Sequence, residues 1–140
     1  MKIAQLMAKD VLVARPEDTI RTVAEQMSRV DIGALPVCDG RRLLGMITDR
    51  DIVVRAVAFG RGPDTTCGAI MSRDIKYCFE DDDVDEVCQR MGEEQIRRIP
   101  VLDRHRQLVG IVSLGDLATD GRPRSAGRAL EKISQPTRSH

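Results

Sequence analysis

Aromatic residues are scarce in this sequence. They make up 2% of the 140 residues, as Tyr77, Phe59 and Phe79, and there is no tryptophan. Apolar residues nevertheless reach 41%, an ordinary share for a globular protein. A chain of this length can bury roughly 68–70% of the surface that its unfolded form exposes. We therefore expect a core of aliphatic side chains and methionine that is stable without covalent cross-links.

The sequence also lacks an excess charge of either sign. Its 22 Lys and Arg residues balance 22 Asp and Glu residues, so the formal net charge is zero at pH 7. No long-range field then draws the chain to nucleic acid or to an anionic membrane. Residues 20–30 could imitate the first helix of a helix-turn-helix, but Pro36 and a strand-like run follow where the groove-reading helix is needed. The sequence argues against nucleic-acid binding.

Long apolar runs are missing as well. None approaches the roughly 20 residues that cross a bilayer as a helix. Residues 1–5 lack the apolar centre of a signal peptide. We expect a cytoplasmic protein without membrane contact.

Closely paired metal ligands are absent. The candidate ligands are four cysteines and two histidines, namely Cys38, Cys67, Cys78, Cys88, His105 and His140. No CxxC pair occurs among them, so no zinc site is predicted. Disulfides are not expected in this compartment, and we expect buried, reduced thiols that pack as small hydrophobes. The acidic run Glu80–Asp83 favours a solvated loop before a helix over a calcium site.

Signs of catalysis are also lacking. The sequence has no activated-nucleophile arrangement and no GxxxxGK[ST] phosphate loop. Asp49 and Asp51 are paired acids, but they stand at a predicted helix start. We expect a protein that is not an enzyme and requires no cofactor.

The chain does contain an internal repeat. Shifting the sequence by 64 positions places Met7–Val11 on Met71–Ile75 and Ile32–Asp39 on Ile96–Asp103. One extra residue near Gln107 then changes the offset to 65, which aligns the segments that end at Asp51 and Asp116. The same order of apolar and turn positions throughout indicates a duplication. It predicts unit 1 over 1–60, a linker at 61–67, unit 2 over 68–120 and a polar tail at 121–140, which either frays or forms a short helix that packs on a partner.

Each repeat has the pattern strand, helix, strand, strand, helix. In the first, the predicted elements are a strand at Val11–Val13, a helix capped by Asp18 or Thr19 with apolar positions 20, 23, 24 and 27, a hairpin of Ala34–Cys38 with Leu43–Ile47, and a helix from Thr48 with apolar positions 52, 53, 56 and 57. A three-stranded sheet of about 50 residues cannot bury both faces alone. The predicted fold is therefore α+β, with two β-α-β-β-α units packed sheet to sheet about a pseudo-twofold axis.

One segment occurs in both repeats and carries the chemistry. In Gly45–Asp51 and Gly110–Asp116, a strand ends in a hydroxyl residue and an aspartate follows three positions later. A helix N-terminus attracts phosphate, and a carboxylate accepts hydrogen bonds from ribose hydroxyls. Plain helix capping explains either copy alone. The recurrence at the same point of both repeats favours ligand binding, and the two roles are compatible.

These residues resemble a known family. The segments Ile32–Val37 and Leu43–Asp51 closely resemble a CBS domain, and Ile96–Val101 with Gly110–Asp116 resembles a second one. Together they look like the tandem pair called a Bateman module, over about Ile3 to Ala118. The resemblance implies binding of AMP, ADP, ATP or S-adenosylmethionine in the cleft between the units.

The resemblance also implies roles for particular residues. Asp51 and Asp116 would hold ribose hydroxyls, and Thr48 and Ser113 would face phosphate. Adenine would lie in an apolar slot lined by Val11, Leu12, Ala34, Leu35 and Pro36, or by Ile75, Lys76, Ile99 and Pro100. Arg50, Arg97 and Arg98 would either bind phosphate or remain solvated and ion-paired. Asp49 departs from the pattern because its charge would repel phosphate, so the second site is favoured for polyphosphate.

Two functions follow from this pattern. The first is a stand-alone regulatory sensor, expected as a homodimer, that binds an adenine nucleotide or adenosyl ligand and acts on an unknown effector protein in trans. The alternative is a ligand-free dimeric interaction module with a vestigial cleft. The sequence leaves the ligand and the effector open.

Overall fold

Short strands alternate with helices in the computed structural model, which describes residues 1–120 and 123–136. The predicted α+β fold class is confirmed. The chain divides into two compact units. We call Leu12–Ile75 the central unit, and Met1–Val11 together with the residues from Lys76 onward the composite unit.

The central unit is built around one helix and one hairpin. Helix α1 spans Ile20–Val30 and begins at the predicted cap Thr19, whose hydroxyl accepts a hydrogen bond from the Thr22 N–H. Strands β1 (Ala34–Asp39) and β2 (Arg42–Thr48) then pair antiparallel. A short helix, α3, spans Cys67–Ile70. The buried core lies between these elements and comprises Ala14, Ile20, Val23, Met27, Leu35, Val37, Ile47, Ala56, Cys67, Ile70 and Met71.

The helix after β2 is irregular. One α-helical turn, α2, covers Asp49–Asp51, a π-helical turn follows over Ile52–Ala56, and a 3-10 turn ends the segment at Phe59. The wider π turn rotates the residues that follow relative to a regular helix. The predicted apolar stripe is consequently wrong in two places. Ala56 is buried, but Val53 and Val57 are 56% and 64% exposed.

The composite unit repeats this plan with additional elements. Strands β3 (Cys78–Phe79), β4 (Arg98–Leu102) and β5 (Leu108–Ser113) form one sheet in the order β3-β4-β5. Helix α4 spans Val84–Glu94 and is capped by Asp83, and α5 covers Leu114–Asp120. The core of the composite unit comprises Ile3, Cys78, Val84, Val87, Cys88, Met91, Ile99, Val101, Val112, Leu114, Leu117, Ala126 and Ala129.

The N-terminal segment packs in the composite unit, whereas the repeat boundaries place it in unit 1. The Ile3 N–H donates to the Asp82 carbonyl over 3.0 Å, and Ala8 and Ile111 exchange backbone hydrogen bonds of 2.9 and 3.0 Å. In the central unit, Met46 and Ser72 exchange equivalent bonds of 2.9 and 2.8 Å. The opening segment of each repeat therefore pairs with the hairpin of the other repeat. The boundaries 1–60, 61–67 and 68–120 stay a prediction from the sequence repeat, and the compact units divide the chain at other positions, after Val11 and after Ile75.

The first strand of the first repeat is shorter than predicted. No strand forms at Val11–Val13. Instead, Ala14 forms a single parallel bridge with Val37, in which its N–H donates to the Pro36 carbonyl and its carbonyl accepts from the Cys38 N–H. Pro16 lies two residues further on, and proline geometry limits how far a strand can continue. The predicted strand is therefore replaced by a single bridge one residue beyond the predicted segment.

The tail contains a helix, α6, over Pro123–Ile133. It packs on α4 of the same chain through the buried residues Ala126 and Ala129. The Ser125 hydroxyl donates to Asp85 over 2.7 Å, and the Gln95 side chain donates to the Lys132 carbonyl over 3.0 Å. Residues 121–122 and 137–140 of the predicted tail lie outside the described residues.

The four cysteines are all buried and free. Burial raises the pKa of Cys38, Cys67 and Cys88 to about 11 and that of Cys78 to about 12. These thiols are therefore neutral at physiological pH. None of the helices in residues 1–120 and 123–136 has the length and apolar character needed to cross a membrane.

Candidate functional site

The first repeated segment forms a reciprocal cap at the end of β2. We call Thr48–Asp51 the first corner. The Asp51 N–H donates to Thr48 Oγ1 over 3.0 Å, and the Thr48 N–H donates to Asp51 Oδ2 over 2.9 Å. This is a capping box with aspartate in place of the usual glutamate. The capping interpretation is thus confirmed here, and it fixes the positions of both side chains.

The second corner, Ser113–Asp116, repeats this geometry at the end of β5. The Asp116 N–H donates to Ser113 Oγ over 3.1 Å, and the Ser113 N–H donates to Asp116 Oδ2 over 3.2 Å. In both corners the hydroxyl oxygen accepts a bond, so the hydroxyl hydrogen remains available for an external acceptor. Each corner therefore offers one hydroxyl donor beside one carboxylate.

The two corners differ in the second oxygen of the aspartate. Asp51 Oδ1 lies 3.6 Å from Arg55 Nε, and the Asp51 side chain is only 14% exposed. Arg55 also donates to the Ile70 carbonyl over 3.3 Å, which holds the guanidinium in place. Asp116 Oδ1 has no hydrogen-bond or ion-pair partner within residues 1–120 and 123–136. The second corner thus retains an acceptor that the first has already engaged.

The backbone N–H groups at the two helix starts also differ. The first N–H of each helix donates to a strand-flanking carbonyl, Asp49 to Gly33 over 2.9 Å and Leu114 to Arg97 over 2.8 Å. In the first corner the next N–H, that of Arg50, donates to Asp49 Oδ1 over 2.8 Å. The Gly115 N–H of the second corner has no acceptor among the described residues. Only the second corner therefore presents a backbone donor to a phosphate.

Asp49 lies close against the backbone at Gly33. A Cβ at Gly33 would come within 2.8 Å of Asp49 Oδ2, so a side chain at this position would have to displace the exposed Asp49 carboxylate. Asp49 is exposed and stands two residues before Asp51 in the sequence. A carboxylate repels a nearby phosphate oxygen. The unfavourable effect of Asp49 on phosphate binding stays a prediction.

The residues predicted to form the adenine slot are not equally accessible. Leu35 and Ile99 are each 1% exposed and belong to the cores of their units, so their side chains present no surface to a ligand. Pro36 and Pro100 are also buried, while the partly or largely accessible members are Val11, Leu12, Ala34, Ile75 and Lys76. Lys76 Nζ lies 3.5 Å from Glu94, so its charge is balanced.

The three predicted arginines are exposed residues close to the corners in the sequence or in the sheet. Arg98 begins β4 and pairs in register with Ser113, and Arg97 supplies the carbonyl that binds Leu114. Arg50, Arg97 and Arg98 are all exposed, and no ion pair to them occurs in the described part of the chain. They are consequently available to an anion.

The sequence interpretation missed Arg55. Its spacing of four residues from Asp51 is the helical ion-pair distance, and this signal was present in the sequence. It also missed the close backbone contacts at Gly45 and Gly110. A Cβ at these positions would lie 2.5 Å from the Ser72 carbonyl oxygen and 2.9 Å from the Ala8 carbonyl oxygen, respectively.

Metal ligands do not gather in the described residues. Within residues 1–120 and 123–136, no group of three or more His, Cys, Asp and Glu side chains is placed to hold an ion.

Comparison with known proteins gives a consistent result. The protein is 38% identical over 133 residues to the CBS domain-containing protein YhcV of Bacillus subtilis, covering 94% of each chain. It is 42% identical over 115 residues to hypoxic response protein 1 of Mycobacterium tuberculosis, covering 81% of this chain and 80% of the relative. The crystal structure of Hypoxic Response Protein I, which has two coordinated zinc ions, matches with a TM-score of 0.78 over 86% of this chain and 98% of that one, at 38% identity.

A ligand-bound structure is also similar. The CBS domain pair of protein MJ0100, in complex with 5′-methylthioadenosine and S-adenosyl-L-methionine, matches with a TM-score of 0.72 and 30% identity. The match covers 84% of this chain and 93% of that one. The CBS domain family profile matches residues 3–57 and 67–120, which contain both corners. The chain therefore belongs to the CBS domain family and contains two CBS domains.

Proposed function

We propose that this protein is a regulatory module that binds an adenosyl compound and acts on another protein in trans. The ligand would occupy the cleft predicted between the two CBS domains. The proposed class of ligands comprises AMP, ADP, ATP and S-adenosylmethionine. The protein would bind its ligand without converting it chemically.

The observation that carries this proposal is the incomplete hydrogen bonding of the second corner. Asp116 Oδ1, the Ser113 hydroxyl hydrogen and the Gly115 N–H have no acceptor or donor within the described residues. Two ribose hydroxyls require an acceptor, and a phosphate requires donors. These three groups lie within four consecutive residues and are fixed by the cap. The second corner is therefore the proposed principal ribose site.

The first corner would favour a ligand that carries less negative charge than the ligand of the second corner. Asp51 is engaged by Arg55, and Asp49 adds a second, exposed carboxylate to this corner. We expect this corner to bind polyphosphates more weakly than the second. The arginine set Arg50, Arg97 and Arg98 would add charge-assisted bonds to phosphate where they reach it.

The similarity to MJ0100 supports the ligand class, since that domain pair holds two adenosyl compounds. Regulation then requires only that the ligand bind one conformation of the protein more tightly than another. The shift cannot exceed that difference in affinity. An effector protein would read the changed conformation.

A second candidate function is a ligand-free interaction module. It is favoured by the exposed apolar side chains of Val53, Val57 and Phe59, which are 56%, 64% and 78% exposed. Exposed apolar clusters commonly mark protein contacts. The same surface would serve the homodimer that we propose for the sensor.

The test is calorimetric titration of the purified protein with AMP, ATP and S-adenosylmethionine. We expect one of these to bind, and Asp116→Ala to weaken it at least about tenfold, because a hydrogen bond to a charged acceptor contributes about 1.5–3 kcal/mol. Asp64→Ala, which removes an exposed carboxylate from a turn, serves as the matched control. Thermal melts would establish that both variants fold.

Two results would count against the proposal. Unchanged affinity in Asp116→Ala would reject the role of that carboxylate. If no adenosyl compound bound or stabilised the protein at millimolar concentration, the interaction module would be the better account.

A further inference from the structure

A cavity of about 780 Å³ lies along helices α4 and α6 of the composite unit. Small-molecule sites commonly enclose about 300–1,000 Å³, so the size suits an organic ligand. Its lining includes no residue of either corner and none of the residues proposed above to bind the adenosyl ligand. We call it the α4–α6 groove.

One wall of the groove carries a row of positive charges. Arg124, Arg128 and Lys132 line it and follow one another at intervals of four along α6. Four residues of an α-helix advance about 6 Å, so the three cations stand on one face over about 12 Å. Among the side chains described in residues 1–119 and 123–136, no carboxylate forms an ion pair with any of these three. Neighbouring cations in such a row repel one another unless an anion is bound between them.

The remaining lining does not neutralise this charge. Asp85 is the one acid among the described lining residues, and its Oδ1 accepts the Ser125 hydroxyl over 2.7 Å. The floor includes Cys88 and Ala129, which are 1% and 2% exposed. The groove therefore combines an apolar floor with a formal charge of +2.

The direction of the helices adds to this charge. Contacts join the two starts through Asp85 and Ser125 and the two ends through Gln95 and Lys132, so α4 and α6 run parallel. Asp85 and Glu86 lie in the first turn of α4, whereas α6 has no acid in its own first turn. The positive end of the α6 dipole lies at the Arg124 end of the groove.

We propose that the α4–α6 groove binds a small organic polyanion with at least two phosphate or carboxylate groups. Arg124 and Arg128 would hold one anionic group with charge-assisted bonds, and Lys132 would hold the next. The Ser125–Asp85 pair would orient a hydroxyl of the ligand. This site is separate from the adenosyl site and does not depend on it.

The experiment is calorimetric titration of the full chain with tripolyphosphate and, in a second arm, with citrate. We expect at least one to bind, with affinity that falls as salt is raised. The double variant Arg124→Gln/Arg128→Gln should lose at least about tenfold in affinity, the loss of one charge-assisted bond or more. The control is Arg41→Gln/Arg42→Gln, which removes two exposed charges from the β1–β2 turn and should leave the affinity unchanged.

Three results would overturn the proposal. One is the absence of binding by both polyanions at millimolar concentration, and another is equal weakening by the two double variants. The third is loss of polyanion binding in Arg97→Gln/Arg98→Gln, which would place the anion beside the second corner. Amide chemical shifts of the wild-type protein provide an independent measurement. The proposal requires the changes to fall on residues 85–89 and 124–132.

Discussion

The close backbone approach at Gly45 yields a quantitative prediction. An alanine Cβ at this position would lie 2.5 Å from the Ser72 carbonyl oxygen and 3.1 Å from Met71 Sδ. The oxygen cannot simply withdraw, because it accepts the Met46 N–H over 2.9 Å, and the Ser72 N–H returns a bond of 2.8 Å. Gly45→Ala must therefore displace the backbone of β2 or break this pair.

The expected cost follows from these contacts. Overpacking in a tight site costs about 1–3 kcal/mol, and weakening one backbone hydrogen bond adds about 1 kcal/mol. We expect Gly45→Ala to lower the free energy of unfolding by about 2–4 kcal/mol. Gly110→Ala should cost less, about 1–3 kcal/mol, because its nearest neighbour, at 2.6 Å, is the flexible Met7 thioether, with the Ala8 carbonyl oxygen at 2.9 Å.

The assay is urea unfolding followed by far-UV circular dichroism, with the slope against urea compared between proteins. Gly127→Ala is the matched control, since no atom lies within 4 Å of its Cβ position. It stands inside α6, where alanine is favoured over glycine by about 1 kcal/mol. If the free energy of unfolding of Gly45→Ala lay within about 0.5 kcal/mol of the wild-type value, the close backbone approach at Gly45 would be refuted.

Two further predictions concern the cap and the thiols. Ser113→Ala removes the acceptor of the Asp116 N–H, so it should lower the free energy of unfolding by about 0.5–2 kcal/mol; urea unfolding of this variant beside the exposed-site variant Ser134→Ala would measure it, and equal stability would contradict the cap. Burial raises the Cys38 pKa from 9.0 to about 11, so the folded thiol stays neutral where the unfolded one ionises. Its contribution to stability is complete below pH 9 and is lost as the pH rises to about 11, at up to about 1.4 kcal/mol per pH unit. Cys38→Ala should flatten the pH dependence of the free energy of unfolding in that range, and parallel curves for the two proteins would show that ionisation of Cys38 is not a cause.

Local signals in the sequence predicted much of the fold. Thr19 as a cap, the buried positions 20, 23 and 27 of α1 and the turn at Asp39–Gly40 depend on neighbours within a few residues, and these features formed where expected. The fourth position predicted for the apolar face of α1, Ala24, is wrong because this residue is exposed. The pairing of Ala8 with Ile111 could not be predicted in this way. It joins residues more than 100 positions apart, and no local pattern distinguishes it from pairing within the repeat.

The candidate site shows the same division. The spacing from Thr48 to Asp51 and from Ser113 to Asp116 predicted both corners, because a capping box is a property of four consecutive residues. Which carboxylate oxygen remains available depends on Arg55 and on the packing of α2. The burial of Leu35 and Ile99 likewise depends on which face of the hairpin meets the core. These are tertiary outcomes, and they separate the two corners more clearly than the sequence does.

The most direct measurement of the central claim is a crystal structure of the protein with S-adenosylmethionine or AMP. A ribose hydroxyl should lie about 2.7 Å from Asp116 Oδ1, with the capping bonds of Ser113 retained. A ligand bound elsewhere, with the Asp116 carboxylate making no contact with it, would contradict the account.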